Sequence, residues 1–404
     1  MAVTTGLSGN ELFCLEKKGY TPGNIVVGNS VHALGFVGTV GSGFKSIMGG
    51  ELEQLTLLIM EGRETAYHRM LTEAKNHGAS GITGVTSELI THGSNIEFLS
   101  IGSAIHQVDA PHPSALFSTS ADGQALYAQL DAGYEPVAFC FGNTVYSIGW
   151  RQGILGGLKT FNRGEIKEFS NLFNHTRHLA LRRIMGQANA CKADAVLGIQ
   201  TSILPIGGVI EMLMIGTASR STRGPSGTEG VIITSDMTNI EMWNMVNLGY
   251  TPMRLLLGTS VYSLGFVGGV TSLLKSFVRG EINELTRVIY DAREQALGII
   301  NDEAKAMGAD DVVGVKTYVY QLGNGLIEFL AIGTAVKKTP GIKTASEQLP
   351  AQAIVVDKST FYDSSLINSM NVNLNAGSKP RNFGTFLRMV IVFIIVLFLF
   401  HFGK

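Results

Sequence analysis

Little in this chain points to chemistry. Charged residues are only 16% of its 404 residues, and 31 Lys and Arg stand against 32 Asp and Glu, for a formal net charge of −1. No block of five like charges occurs. Such a balance excludes the basic footprint that holds a phosphate backbone, so no nucleic-acid partner is expected. Cysteine is scarce: Cys14, Cys140 and Cys191 are odd in number and lack CxxC spacing. That argues against a disulfide framework and fits a reducing compartment. The opening residues, MAVTTGLSGNELF, offer neither a basic n-region nor an apolar h-region, so no secretory signal is expected. Nucleophile elbow, P-loop and paired-carboxylate motifs are all missing, and with them the usual signs of catalysis. Gly38-x-x-Gly41-x-Gly43 resembles a phosphate loop, but its counterparts are Gln152, Leu155 and Gly157, then Gly268, Thr271 and Leu273. A strand-to-helix loop is the better reading. The chain is expected to be no enzyme and to carry no cofactor.

What is present is repetition. Gly19-Tyr20-x-Pro22 returns as Gly133-Tyr134-x-Pro136 and Gly249-Tyr250-x-Pro252, at offsets of 114 and then 116. The same offsets carry Gly28 to Gly142 and Gly258, Gly50-Glu51 to Gly164-Glu165 and Gly280-Glu281, and Arg63 to Arg177 and Arg293. Register slips by one only in the third copy, at a Gly-rich turn, and insertions go where backbone is exposed, so the slip marks a hairpin. Such a period means that one structural unit occurs three times.

Each copy reads alike. A short amphipathic helix carries Phe13, Tyr127 or Trp243 and ends at the Gly of Gly-Tyr, as a C-cap glycine requires. A strand, a glycine-punctuated loop and a helix of about 25 residues follow, the helix with Leu52, Leu55, Ile59, Ala66, Met70 and Ala74 near the 3.6-residue period. Glu51, Glu165 and Glu281 are expected in its first turn, where the dipole favours a carboxylate. A hairpin closes the unit. The sequence therefore predicts an α+β fold of three tandem β-α-β-β domains in two layers, over 11–107, 122–219 and 236–338. The stretches Gln107–Ala121 and Ser219–Ser235 read as extended linkers. A polar stretch over 339–385, with at most a short strand near Ala353–Val356, is not expected to be compact.

At the third copy, Ala292-Arg293-Glu294-Gln295-Ala296, the run AKAMGAD from Ala304, Val312-Val313-Gly314-Val315 and Ile332-Gly333-Thr334-Ala335-Val336 resemble the YbjQ-like family. Lys192 to Ile199 and Gly216-Thr217-Ala218 carry the resemblance in the second copy, and Gly78 to Val85 in the first. The resemblance implies a dodecin-subunit-like fold and assembly into rings, typically pentamers, through shared edge strands. It also brings a label of heavy-metal binding. Family members are mostly single-domain, so the triplication and the tail are departures.

Tested on the residues, that label finds only His175 and His178, one helical turn apart, with Cys191 downstream. The equivalents are Glu61 and Glu64, and Asp291 and Glu294, and a fourth ligand is lacking. A solvated helix surface is the better reading, and no metal is expected. Two charged positions recur in every copy: Arg63, Arg177 and Arg293 on the long helix, and Glu97, Glu211 and Glu328 on the last strand. They could form an Arg–carboxylate bridge within or between units that fixes ring register. The alternative is solvated charge, worth under about 1 kcal/mol.

The chain closes on MVIVFIIVLFLF, Met389 to Phe400, part of an apolar stretch over 386–403 that includes Phe393 and Phe398. About 17 residues give roughly 25 Å of helix, short for a bilayer core of about 30 Å, although flanking Arg388 and Lys404 can snorkel. A C-terminal transmembrane anchor is expected. Lys379, Arg381 and Arg388 precede it and place the bulk on the cytoplasmic side of the inner membrane, with a thinner outer membrane as the alternative. Together these features predict a membrane-anchored structural protein whose partners are the bilayer and copies of itself. It would form a pentamer-based ring, bell or cage, with one ring per copy in three stacked tiers. The alternative is a tethered metal- or small-molecule-binding module.

Overall fold

In the computed structural model, residues 2–33, 50–92, 95–108, 115–147, 164–206, 209–222, 232–263, 283–323 and 326–355 are described. Each repeat is a short helix, a long strand, a long helix and a hairpin. The first has α1 (Gly9–Lys17), β1 (Tyr20–Ala33), β2 (Gly50–Glu51), α2 (Glu53–Asn76), β3 (Gly81–His92) and β4 (Asn95–Gln107). After β5 (Phe117–Ser118) come α3 (Gly123–Asp131), β6 (Tyr134–Ser147), β7 (Gly164–Glu165), α4 (Lys167–Ala190), β8 (Ala195–Ile206) and β9 (Val209–Ser221). After β10 (Ile233–Thr234) come α5 (Asn239–Asn247), β11 (Tyr250–Ser263), α6 (Asn283–Ala306), β12 (Asp311–Gly323) and β13 (Leu326–Lys338), and then α7 (Ala351–Ile354).

Local chemistry explains the recurrence. Ser8 with Glu11, and Thr238 with Glu241, form capping boxes that start α1 and α5, while Asp122 caps α3. All three short helices stop at a glycine with positive φ: Gly19 at +78°, Gly133 at +88° and Gly249 at +83°. Gly28, Gly142 and Gly258 recur for a different reason. A Cβ there would stand 2.0, 2.3 and 2.1 Å from the carbonyl oxygens of Ala66, Ala180 and Ala296. The long helix crosses its own first strand at that point, and only glycine fits.

The three sheets run β1-β4-β3-β5, β10-β8-β9-β6-β2 and β12-β13-β11-β7. Two-residue strands therefore cross between repeats. Gly50 lies opposite Ser147 and Glu51 opposite Tyr146, as Gly164 does Ser263 and Glu165 does Tyr262. This corrects the expected placing of Glu51 and Glu165. Their backbone serves the next repeat's sheet, so α2 and α4 begin only at Glu53 and Lys167; Glu281 lies outside the described residues. The linkers are not merely extended either. β5 pairs in parallel with Gly81–Ile82, and β10 with Ala195–Val196.

Long helices join the layers. Ala180, Leu181 and Ile184 of α4 share one core with Cys140, Met212 and Met214 of the second repeat and Leu255, Leu257 and Leu330 of the third. Met70 and Ala74 of α2 share another with Val26 and Ala104 of the first repeat and Phe139, Phe141 and Leu213 of the second. The row thus runs sheet, helix, sheet, helix, sheet, helix. Copies within one chain are side-by-side neighbours, which corrects the expectation of one tier per copy. The sheet faces that would meet other chains in such tiers are covered, in the second and third repeats, by the repeat before. A ring closed by this contact holds three repeats for each chain, so whole chains cannot build a five-repeat ring.

A strap follows the third repeat, where a loose segment was expected. Leu349 and Ala353 are buried with Cys14 and Ala128, and Ser346 donates from its backbone N–H and its hydroxyl to Asp131. The expected short strand is instead the helical turn α7, because those two apolar side chains find cover on the short helices. The expected anchor residues Met389, Phe393, Phe398 and Phe400 lie outside the described residues. Among the described residues no helix is long and apolar enough to cross a membrane.

Candidate functional site

The recurring charges meet at the joints between repeats. Arg63 on α2 reaches Glu211 on β9, with Nη2–Oε2 at 2.7 Å and Nε–Oε1 at 3.2 Å. Arg177 on α4 reaches Glu328 on β13, with Nη2 at 2.7 and 2.8 Å from the two carboxylate oxygens and Nε at 3.2 Å. All four side chains are buried. A fork meeting a carboxylate out of water fixes both distance and angle, so each pair sets the register of one repeat on the next.

Other groups line each site. Nη1 of Arg63 donates to the carbonyl and the hydroxyl of Ser87, both at 3.1 Å, and Asn143 donates to Glu211 at 3.1 Å. Around Arg177 the aromatic rings of Tyr146 and Phe173 lie 5.1 and 5.7 Å from the guanidinium carbon. Burial alone would lower the pKa of Arg177, but Glu328 and Tyr146 beside it outweigh burial and raise it above the ordinary arginine value, so the guanidinium stays charged. Backbone donors at the joints are matched too. The Val145 N–H donates to the Thr56 hydroxyl, and the Val261 N–H to that of Ser170. Phe139 N–H donates to Ser118, and Leu255 N–H to Thr234.

The remaining members of the recurring set are not brought together within one chain. Arg293 is exposed on α6. Glu97 on β4 accepts from Asn29 at 3.1 Å, as Glu211 does from Asn143, and makes a 2.7 Å contact with His92. Those two bonds hold its carboxyl below the usual carboxylate range.

A second point of union lies on the short helices. Asp131 accepts from Lys18 of the first repeat at 2.9 Å and from Trp243 of the third at 2.8 Å, as well as from Ser346. One buried carboxylate thus ties three repeats and the strap. The sequence did not single it out, because the equivalent positions are Lys17 and Asn247.

Of the histidine set, His175 is exposed, while His178 faces Glu303 across the second joint at 3.6 Å. Burial, with Arg182 and Arg254 nearby, pushes the pKa of His178 down. Among the described residues no three His, Cys, Asp or Glu side chains converge as a metal site would require.

Comparison with known proteins agrees with the threefold repeat. The YbjQ-like family model, described as "Putative heavy-metal-binding", matches residues 17–107, 133–222 and 234–339. An encapsulin nanocompartment protein of Mycobacterium tuberculosis is 28% identical over 216 residues, 52% of this chain and 80% of that protein. A UPF0145 protein of Saccharolobus islandicus is 39% identical over 92 residues, 22% of this chain and 81% of its own length. One from Methanoregula boonei is 37% identical over 89 residues, 22% of this chain and 74% of its own length.

Proposed function

Because the chain belongs to the YbjQ-like family, whose domain it carries three times in tandem, we propose that it is a structural protein that assembles with copies of itself into a ring, bell or cage held on a membrane. The observation that carries this reading is the joint itself. It buries an Arg–Glu pair and apolar side chains of a sheet face, is used twice within the chain, and performs no visible chemistry. Ion pairs taken fully out of water contribute little net stability but specify register, which suits a building block. A similar protein named for a nanocompartment supports the same reading.

The tether rests on sequence. Met389 to Phe400 is wholly apolar, with Lys379, Arg381 and Arg388 before it, a charge pattern that supports a position at the cytoplasmic face of the inner membrane. One short tail binds a bilayer weakly, whereas several gathered by one assembly act together.

Negative-stain microscopy and sedimentation of the full chain extracted in detergent test the scaffold. Discrete closed particles are expected, and single chains at every concentration would overturn it. Alkaline extraction of membranes tests the tether: the full chain stays with lipid and a chain ending at Arg381 is released. A full chain that is washed off would remove the tether.

A further inference from the structure

The row of repeats ends in two half-joints. In the second repeat Phe139, Phe141 and Val145 are 2%, 1% and 0% exposed, and in the third Leu255, Leu257 and Val261 are 1%, 0% and 0% exposed. The same positions in the first repeat are Ile25, Val27 and Val31, at 38%, 42% and 58%. They are as apolar as their counterparts, yet no repeat among the described residues covers them. The opposite end shows the converse. Val85 and Ile199 are 1% and 3% exposed under the following repeat, and the equivalent Val315 is 43% exposed. Thr56 and Ser170, whose hydroxyls receive a strand N–H from the next repeat, are buried, while the equivalent Thr286 is exposed. Contiguous apolar patches of this kind mark interaction surfaces.

The charges are split in the same way. Arg63 and Arg177 each have a glutamate from the repeat that follows, and Glu211 and Glu328 each have an arginine from the repeat that precedes. Arg293 and Glu97 are the members left at the two ends. Glu97 already stands in the binding posture, since Asn29 holds it as Asn143 holds Glu211, and it makes its closest contact with the exposed His92.

Backbone edges repeat the asymmetry. Phe117–Ser118 and Ile233–Thr234 add in parallel to Gly81–Ile82 and Ala195–Val196. By the repeat offsets their counterparts are Val3–Thr4 and Asp311–Val312, and β12 is an edge among the described strands. Within its own chain Thr4 lends its carbonyl to the Ile25 N–H and donates its own N–H to the Asn24 side-chain oxygen, both at 2.9 Å, so neither bond joins it to a neighbouring repeat.

We infer that the partner of each end is the opposite end of a second copy of this chain: the first repeat's bare sheet face seats on α6 of another molecule, Arg293 enters the site formed by Glu97 and Asn29, and Val3–Thr4 adds to the β12 edge. The contact is head-to-tail and therefore heterologous, so it propagates in one direction until it closes. The inference rests on the scaffold reading and specifies which surfaces carry it.

Charge reversal tests it in the full chain in detergent, because both residues are accessible and neither holds two repeats of its own chain together. Arg293→Glu puts two carboxylates at every junction, and Glu97→Arg puts two guanidinium groups there. Each variant alone is expected to lose association by roughly thirtyfold or more, read by sedimentation velocity, with unchanged circular dichroism. In the double variant Arg293→Glu/Glu97→Arg every junction regains one positive and one negative partner, and particles of wild-type size should return. Arg293→Glu chains that assemble like wild type would overturn the inference and leave the scaffold to some other surface. So would a double variant that stays dissociated. Wild-type chains that never associate would overturn the scaffold as well.

Discussion

Arg177 holds Glu328 across the second joint through three nitrogen–oxygen contacts of 2.7–3.2 Å, although 151 residues separate them in sequence. Removing one partner strands a buried charge. Arg177→Ala should therefore lower the unfolding free energy of dilute, dissociated chains by about 3–5 kcal/mol, with Arg63→Ala similar. Arg293→Ala, at the equivalent but exposed position, should change it by no more than about 0.5 kcal/mol. Denaturant unfolding of the three variants is the check, and equal losses would contradict the assignment of joints.

A methyl group is expected to be intolerable at the helix crossing. In Gly142→Ala the new Cβ would stand 2.3 Å from the Ala180 carbonyl oxygen and 2.6 Å from the Ile184 nitrogen. Both are backbone atoms, so the helix must move, at a cost of at least about 1–3 kcal/mol. Gly186→Ala, with nothing within 4 Å of the added carbon, should be neutral or slightly stabilising in its helix. Thermal unfolding distinguishes the two.

Asp131 makes the strap sensitive to acid. Burial raises its pKa, but hydrogen bonds from Trp243, Lys18 and Ser346 outweigh burial and leave it below 3.8, the ordinary value. A carboxyl depressed on folding stabilises above its unfolded pKa and loses that contribution as pH falls through the folded one. The strap should therefore stay docked at neutral pH and loosen below about pH 4. Hydrogen exchange of the Ser346 amide reports this directly. Asp131→Asn should speed that exchange at pH 7, and an unchanged rate would contradict the role given to Asp131.

Thiol chemistry should follow burial. Burial pushes Cys14 up to about 11 and Cys140 higher still, and it raises the half-buried Cys191 as well. A disulfide reagent at pH 8 should react with Cys191 first and reach Cys14 and Cys140 only after denaturation. Rapid native labelling of Cys140 would contradict the closed second core.

How far could the sequence be read? Arg63, Arg177, Arg293 and their glutamates stood out because three copies retain them, and the long helices, hairpins and capping glycines carry local signals. Partner choice was not legible, since Arg63 bonds the glutamate of the next copy and not its own. One clue lay in β1: Asn24-Ile25-Val26-Val27-Gly28 is apolar on both faces, the mark of a strand covered twice. Glu51 was misplaced because a helix-start signal is local, whereas pairing with Tyr146 is tertiary. Leu349 and Ala353 could not announce the strap, because two apolar residues in a polar stretch find their cover only after three repeats have folded. Asp131 has no carboxylate equivalent, so recurrence could not point to it.

An electron cryo-microscopy map of the assembled full chain in detergent would test the central claim most directly. The account predicts Arg293 of one chain within hydrogen-bonding distance of Glu97 in the next, with Ile25, Val27 and Val31 covered at that junction. A map in which the outer face of β1 looks onto solvent, with the particle held together elsewhere, would contradict it.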